Sequence, residues 1–458
     1  MDQTLWIKIQ EFDFDHPISE YGFTTRLAKE NYWTDDFTLK AILEYKKFMY
    51  LAGTSDFMVS PSEIIDIVWH QHLIFTQSYA DFCKLIGKNI QHIPSTHNKE
   101  DFEKFKQAKE RTKSLYIVAF GQQPIAFWEY SGMYESLHLE KSKFKIRSFI
   151  LFGVLVFSIL TWPFYLLLKP VYIQIGNPDF IRSYLFGGAL LLLGLEWYNR
   201  FYFRSIMEGF EPFSFIHHLE PMELVYLKTQ NPSAIIHGNV NQLLEEKAII
   251  LNDKKALQPN LANNSTSKER FAIMEVLQDM GGSFYPTLLK RVISKPVFSN
   301  IPNAMDAFKK YWIKSRAFGK LFYLNFSVLS LLLLFGLTRL ATGIIRSKPV
   351  TELIVLLVML FVFILFFLWR LCKQICTDTI PKFYKTKIAS VSSPVKPLDW
   401  QWNYFLMGTA IFSESFIPLV RYTDGNSSSS GSCGTSCGSS CSSGCGSSCS
   451  SCGGCGGD

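Results

Sequence analysis

The chain is short of charge. Of its 458 residues, 19% are Asp, Glu, Lys or Arg, while 48% are hydrophobic and 15% aromatic. Soluble domains carry roughly 25% charge. The shortage excludes an intrinsically disordered chain and a purely water-soluble enzyme of ordinary make-up. Phosphate-cradling glycine loops are missing too: neither a P-loop nor a GxGxxG motif occurs. No nucleophile is paired with a base in a recognisable pattern, so an enzyme is not expected. Cysteine is nearly absent from the body. Ten Cys occur, but only Cys83, Cys372 and Cys376 lie outside the stretch from Cys433 to Cys455. That rules out a disulfide framework for the body. The opening residues, MDQTLWIKIQEFDFDHP, lack a basic segment followed by an apolar one, so no signal peptide is expected. The net charge of +7 is too mild for its length to mark a nucleic-acid binder.

What the chain has instead is long uncharged runs. Phe149 to Leu168 is an uncharged stretch of 20 residues, about 30 Å as a helix, which matches a bilayer core. Leu321 to Leu337 and Leu353 to Trp369 are similar. A weaker segment, Ser183 to Trp197, is flanked by Arg182 and Glu196 and interrupted by Gly187 and Gly188. The alternative for such runs is a set of buried core helices; their length and lack of charge favour spanning. Lys and Arg gather before the first span (Lys141, Lys143, Lys145, Arg147), after the second (Arg200, Arg204), before the third and after the fourth. The positive-inside rule then puts both termini and the middle region in the cytoplasm.

The expected fold class is an α-helical membrane protein of the bacterial inner membrane. It comprises a helical soluble domain over 1–145, a transmembrane hairpin over 146–203, a small winged-helix-like cytosolic domain over 204–316 and a second hairpin over 317–372. A membrane-proximal region over 373–424 and a Cys/Gly/Ser tail over 425–458 follow. In the first domain, apolar spacing predicts a helix over Asp35 to Leu51. Ser60-Pro61-Ser62-Glu63 predicts a capped helix start with Pro61 in the first position, and Lys99 to Phe120 a further helix. In the middle region, Glu220-Pro221-Met222-Glu223 starts a helix, Ser233 to Lys247 makes another, and AIILNDKKALQPN reads as a β-hairpin. Helix, helix, hairpin is the order of a winged-helix-like unit. Its second helix has no Lys or Arg between Ile235 and Glu246, so a protein contact is expected there and nucleic acid is not. Residues from Asp399 to Val420 are aromatic and apolar, suited to the membrane surface or to a buried strand pair. The tail cannot bury a core and is expected to be disordered by itself.

The distinctive motif is Asp66-Ile-Val-Trp69-His70-Gln-His72, followed by Tyr79, Cys83, Gly87 and His92-Ile-Pro94, then Tyr116 and Phe120-Gly121-Gln-Gln-Pro124 with Trp128. This run, over about residues 60 to 130, resembles the N-terminal region of bacterial members of the glycine-rich domain-containing protein-like family. The resemblance implies an architecture more than an activity. The stretch from Leu219 to Leu251 resembles a second group of bacterial membrane proteins, which join a cytosolic helical unit to transmembrane helices and a Gly- or Cys-rich end. Where their pattern has Gly-Gly, this chain has Gln230-Asn231.

His70, His72, Cys83 and His92 are all competent ligands for Zn²⁺ or another soft metal ion. Asp66 lies four residues before His70, on the same helical face, and is placed to orient it. His70 and His72 diverge on a regular helix, so both reach one ion only if the helix distorts. The competing reading is a hydrogen-bonded aromatic core around Trp69, His70 and Tyr79; a site for another ligand is the third. The tail offers its own metal site at Cys445, Cys449, Cys452 and Cys455, against redox cross-linking or a tolerated low-complexity sequence. Two function classes follow: a non-catalytic multi-pass membrane protein that presents cytosolic domains to protein partners, and a metal-binding or metal-responsive membrane protein.

Overall fold

A computed structural model of the chain describes residues 2–93, 99–260, 267–391 and 399–429. The chain divides into two compact units, Met1–Ser413 and Glu414–Asp458. The described residues are mostly helical, with one small three-stranded sheet.

Among the described residues, seven α-helices come before the first long apolar one: α1 (Gln3–Glu11), α2 (Phe23–Asn31), α3 (Asp35–Thr54), α4 (Glu63–Ile74), α5 (Thr76–Ile86), α6 (Lys99–Phe120) and the single turn α7 (Ile125–Trp128). Thr34 caps α3 by accepting from the Phe37 amide, and Asp35 and Asp36 in its first turn suit the positive end of the helix dipole. The inner face of α3 carries Ala41, Tyr45, Phe48 and Met49, all fully buried. Among these apolar groups sits a buried carboxylate, Glu44. It accepts from the Tyr116 hydroxyl at 2.8 Å and the Trp128 indole at 2.8 Å, and pairs with Lys47 at 2.7 Å. Helix α4 starts two residues later than the sequence motif suggests. Ser62, not Ser60, is the cap, accepting from the Ile65 amide while its own hydroxyl donates to the Phe127 carbonyl. Ser60 is held outside the helix because its amide and its carbonyl both bond the Thr112 hydroxyl.

Among the described residues, four helices are long and apolar enough to cross a membrane: α8 (Ile146–Gln174), α9 (Asn177–Glu208), α15 (Arg316–Ile345) and α16 (Thr351–Gln374), the last continuing through a π turn, Ile375–Thr379, into α17 (Ile380–Val391). The weak second segment is thus the core of a helix of 32 residues; its flanking polar residues are continued helix rather than ends. Helix α15 is the most enclosed of the four and α8 the least. Polar side chains tie the helices where packing alone is non-directional. Asn199 and Asn325 exchange reciprocal amide bonds of 3.0 and 2.8 Å, both fully buried. Tyr184 donates to the Leu332 carbonyl at 2.7 Å. Gly336 lets this contact form, since a Cβ there would lie 2.7 Å from the Tyr184 hydroxyl oxygen. Arg339, buried on α15, donates to the carbonyls of Tyr172 and Ile175 and to Asn177 Oδ1, closing the turn between α8 and α9.

Between the two pairs lie α10 (Pro221–Thr229), α11 (Ser233–Glu245), β1 (Ile249–Leu251), β2 (Ala256–Pro259), α12 (Lys268–Asp279), β3 (Ser283–Phe284), α13 (Tyr285–Val292) and α14 (Pro296–Ile313). The hairpin pairs Ile249 with Pro259 and Leu251 with Leu257. Strand β3 adds to β2 with Leu257 opposite Ser283. After α17 comes α18 (Trp400–Met407). A strand pair was one expectation for this stretch, and it is helical instead. Its Tyr404 packs on α11 at Gly238, where a Cβ would meet the ring at 2.8 Å, and donates to the Ala234 carbonyl at 2.8 Å. In the second unit, α19 (Ile417–Ser429) reaches five residues into the region expected to be low-complexity tail.

Candidate metal centre on helix α4

Helix α4 is regular from Glu63 to Ile74, so successive side chains turn by about 100° and residues two apart point nearly opposite ways. His70 and His72 obey this. His70 is exposed and His72 is fully buried. The His72 ring is satisfied at both nitrogens, Nδ1 with the Tyr45 hydroxyl at 2.9 Å and Nε2 with Ser78 Oγ at 3.1 Å. Phe14 and Phe82 pack against it. Burial pushes its pKa down to about 3, so the ring is neutral. Cys83 is buried on α5 beside Tyr79 and Tyr45. The structure therefore places His72 and Cys83 inside the domain and His70 on its surface.

The outer face brings a different set together. His92, beyond the end of α5, folds back so that Nε2 lies 2.9 Å from Asp66 Oδ1. His70 Nδ1 lies 3.2 Å from Asp66 Oδ2 and 2.9 Å from the Asp66 carbonyl oxygen. The two imidazole centroids are 4.4 Å apart. One ligand atom from each of Asp66, His70 and His92 lies within 4.8 Å of the others. Among the described residues this is the one group of three or more His, Cys, Asp or Glu drawn so close. Its surroundings are fixed by the motif aromatics. Trp69 stacks edge-on to His92 at 4.6 Å and donates to the Tyr79 hydroxyl at 3.1 Å, which in turn donates to the Ile90 carbonyl. That chain of bonds anchors the segment carrying His92. Asp66, Trp69 and His92 form one wall of a cleft of about 240 Å³, with Glu63, Gln91 and Phe105 also lining it.

Two imidazole nitrogens and a carboxylate oxygen with an open side make a donor set suited to Zn²⁺ or a comparable divalent ion. Of the four ligands expected from sequence in this domain, His70, His72, Cys83 and His92, only His70 and His92 come together, around Asp66, which was expected as an orienter. Asp66 itself faces both rings, and the spacing of four from His70 was the signal for it. Nothing in sequence marked Glu44, which collects Tyr116 and Trp128 of the same motif. The tail cysteines Cys445, Cys449, Cys452 and Cys455 lie outside the described residues.

Comparison with known proteins bears on this part of the chain. A family model described as UCP032817-like matches residues 9–124. The chain is also similar to two Arabidopsis thaliana proteins, glycine-rich domain-containing protein 1 and glycine-rich domain-containing protein 2. Identity is 26% over 119 and 117 residues respectively. Each match covers 24% of this chain, and the chain spans only 14% of the length of either relative. No solved structure matches it. The segment that carries Asp66, His70 and His92 is therefore the part of the chain that resembles the UCP032817-like family.

Proposed function

We propose that this chain is a non-catalytic, multi-pass protein of a bacterial inner membrane whose N-terminal domain binds a divalent transition-metal ion through Asp66, His70 and His92. The convergence of those three ligand atoms within 4.8 Å, with Asp66 and His92 lining a cleft, supports this reading. The bound ion would replace the hydrogen bonds that now hold Asp66 between the rings, and binding would fix the loop that carries His92 to α4. The four long apolar helices would be the spans, with the basic residues at their inner ends keeping both termini in the cytoplasm. The middle helices and the β1–β2 hairpin would form a winged-helix-like module for a protein partner, as the absence of Lys and Arg from Ile235 to Glu246 suits. The tail cysteines would supply a second, thiolate site for a soft metal.

The test uses the full chain in detergent with its seven tail cysteines changed to serine, titrated calorimetrically with Zn²⁺. One equivalent should bind, and Asp66→Asn or His92→Ala should weaken it by at least about tenfold. His72→Phe should leave the affinity unchanged. Equal Zn²⁺ affinity in the parent and in His92→Ala would overturn the assignment and leave the cluster as a hydrogen-bonded support for the loop.

A further inference from the structure

A basic recess lies where an exposed apolar stripe on α9 ends. Phe186, Leu190, Leu193, Trp197 and Phe201 recur there at helical spacing, and each is more than half exposed. The spacing puts them on one face, and the rings of Trp197 and Phe201 stack with centroids 6.1 Å apart. From Phe186 to Trp197 the stripe is about 16 Å long, close to one leaflet of a ~30 Å hydrocarbon core. Arg200 and Arg204 carry the same face onward. They form one wall of a cavity of about 730 Å³, and the π turn with α17 forms the other. Four cations line it, Arg200, Arg204, Lys382 and Lys387, against two carboxylates, Glu208 and Asp378. Both carboxylates sit in i,i+4 surface pairs, Glu208 with Arg204 at 2.9 Å and Asp378 with Lys382 at 2.7 Å. Such pairs hold their cations weakly. Arg200 bonds Glu196, which Arg370 also bonds, so that acid does not cancel the excess. Lys387 lies over the Tyr384 ring and is in no ion pair among the described residues. Met207 and Phe383 add apolar wall.

On the reading of the four long helices as membrane spans, we infer that this recess holds the headgroup of an anionic phospholipid. Its phosphate sits on Arg204, Lys382 and Lys387, and its acyl chains run along the face from Phe186 to Phe201. The excess of cations calls for an anion, and guanidinium and ammonium donors suit phosphate oxygens. The apolar stripe running into the recess calls for that anion to carry hydrocarbon, which a soluble phosphate lacks. The tryptophans set the depth. Indoles gather at the boundary between headgroups and hydrocarbon. Glu196 and Arg370 bond each other, so their neighbours in sequence, Trp197 and Trp369, lie at one level on α9 and α16. Arg200 stands one turn beyond that level, at headgroup height. Basic recesses between spanning helices hold anionic headgroups in this way. The volume falls within the usual range for small-molecule sites, ~300–1,000 Å³. Because the two walls belong to α9 and to the continuation of α16, the lipid would fasten the first helix pair to the second.

The test is native mass spectrometry of the full chain in detergent, titrated with phosphatidylglycerol or with phosphatidylcholine of the same acyl chains. One phosphatidylglycerol should be retained in preference to phosphatidylcholine. Glycerol 3-phosphate, a phosphate without the chains, should not displace it even in large excess. Changing Arg204→Gln and Lys387→Gln together should weaken retention at least about tenfold, with a melting curve confirming that this variant is folded. Lys348→Gln, in the loop between α15 and α16, should leave retention unchanged. The lipid site is overturned if phosphatidylcholine is held equally well, if the double variant holds phosphatidylglycerol as the parent does, or if glycerol 3-phosphate displaces it. A chain recovered from cells in the soluble fraction without detergent would overturn the spans and the lipid site with them. A membrane-integrated chain that ignores phosphatidylglycerol would overturn the site alone.

Discussion

Glu44 and Glu223 are both carboxylates taken out of water, 3% and 1% exposed, yet they sit in opposite company. Around Glu44 are a tyrosine hydroxyl, an indole N–H and a lysine. Around Glu223 are the Asp35 and Glu220 backbone amides, which it accepts at 3.2 and 2.8 Å, and behind them the carboxylates of the same two residues. Burial, then the charge of Asp35, holds Glu223 well above the ordinary carboxylate range. Burial of an acid therefore says little by itself. The partner set decides whether the group serves as a fixed ionised anchor or as an acid held back from ionising.

The sharpest way to break that contrast is Glu44→Ala. It leaves Lys47, Tyr116 and Trp128 facing an empty acceptor, and should cost about 3–5 kcal/mol of stability, read from the melting temperature or denaturant midpoint. A loss below about 1 kcal/mol would mean Glu44 anchors nothing. Next in size is His72→Phe, which keeps the aromatic packing but strands the Tyr45 and Ser78 hydroxyls. A loss of about 2 kcal/mol is expected, and an unchanged melting curve would show that the ring's hydrogen bonds contribute nothing net. The smallest effect belongs to Asp35→Asn, and it has the opposite sign. An acid whose pKa rises from 3.8 unfolded to about 7 folded binds its proton more tightly in the native state. Its contribution is present at low pH and is lost as pH climbs through that window. The parent should accordingly melt lower at pH 8 than at pH 5.5. Asp35→Asn should be about 1 kcal/mol more stable than the parent at pH 8 and show a shallower pH dependence. Parallel pH profiles for the two proteins would contradict the repulsion.

These expectations also mark what the sequence made legible. The opposite faces of His70 and His72 follow from the helical turn angle, and the nearness of Asp66 to His70 from a spacing of four. The uncharged runs announced the long apolar helices, though the second was blurred by Gly187, Gly188 and its polar flanks. His92 was recognisable as a donor, but its return to Asp66 across 26 positions depends on the Trp69–Tyr79–Ile90 bonds. The acid junction was wholly illegible. Asp35 and Glu223 are separated by 188 positions, and each alone reads as an ordinary acidic residue in the first turn of a helix. Only the packing of α3 against α10 turns two favourable helix starts into a shared problem.

Arg339 has a consequence for how the chain is built. The carbonyls it satisfies, at Tyr172 and Ile175, are made more than 160 residues before it. During synthesis the α8–α9 turn therefore waits with its carbonyls uncapped until α15 arrives. In the finished chain the guanidinium bonds join the two helix pairs, so they form only once α15 has packed on the α8–α9 turn.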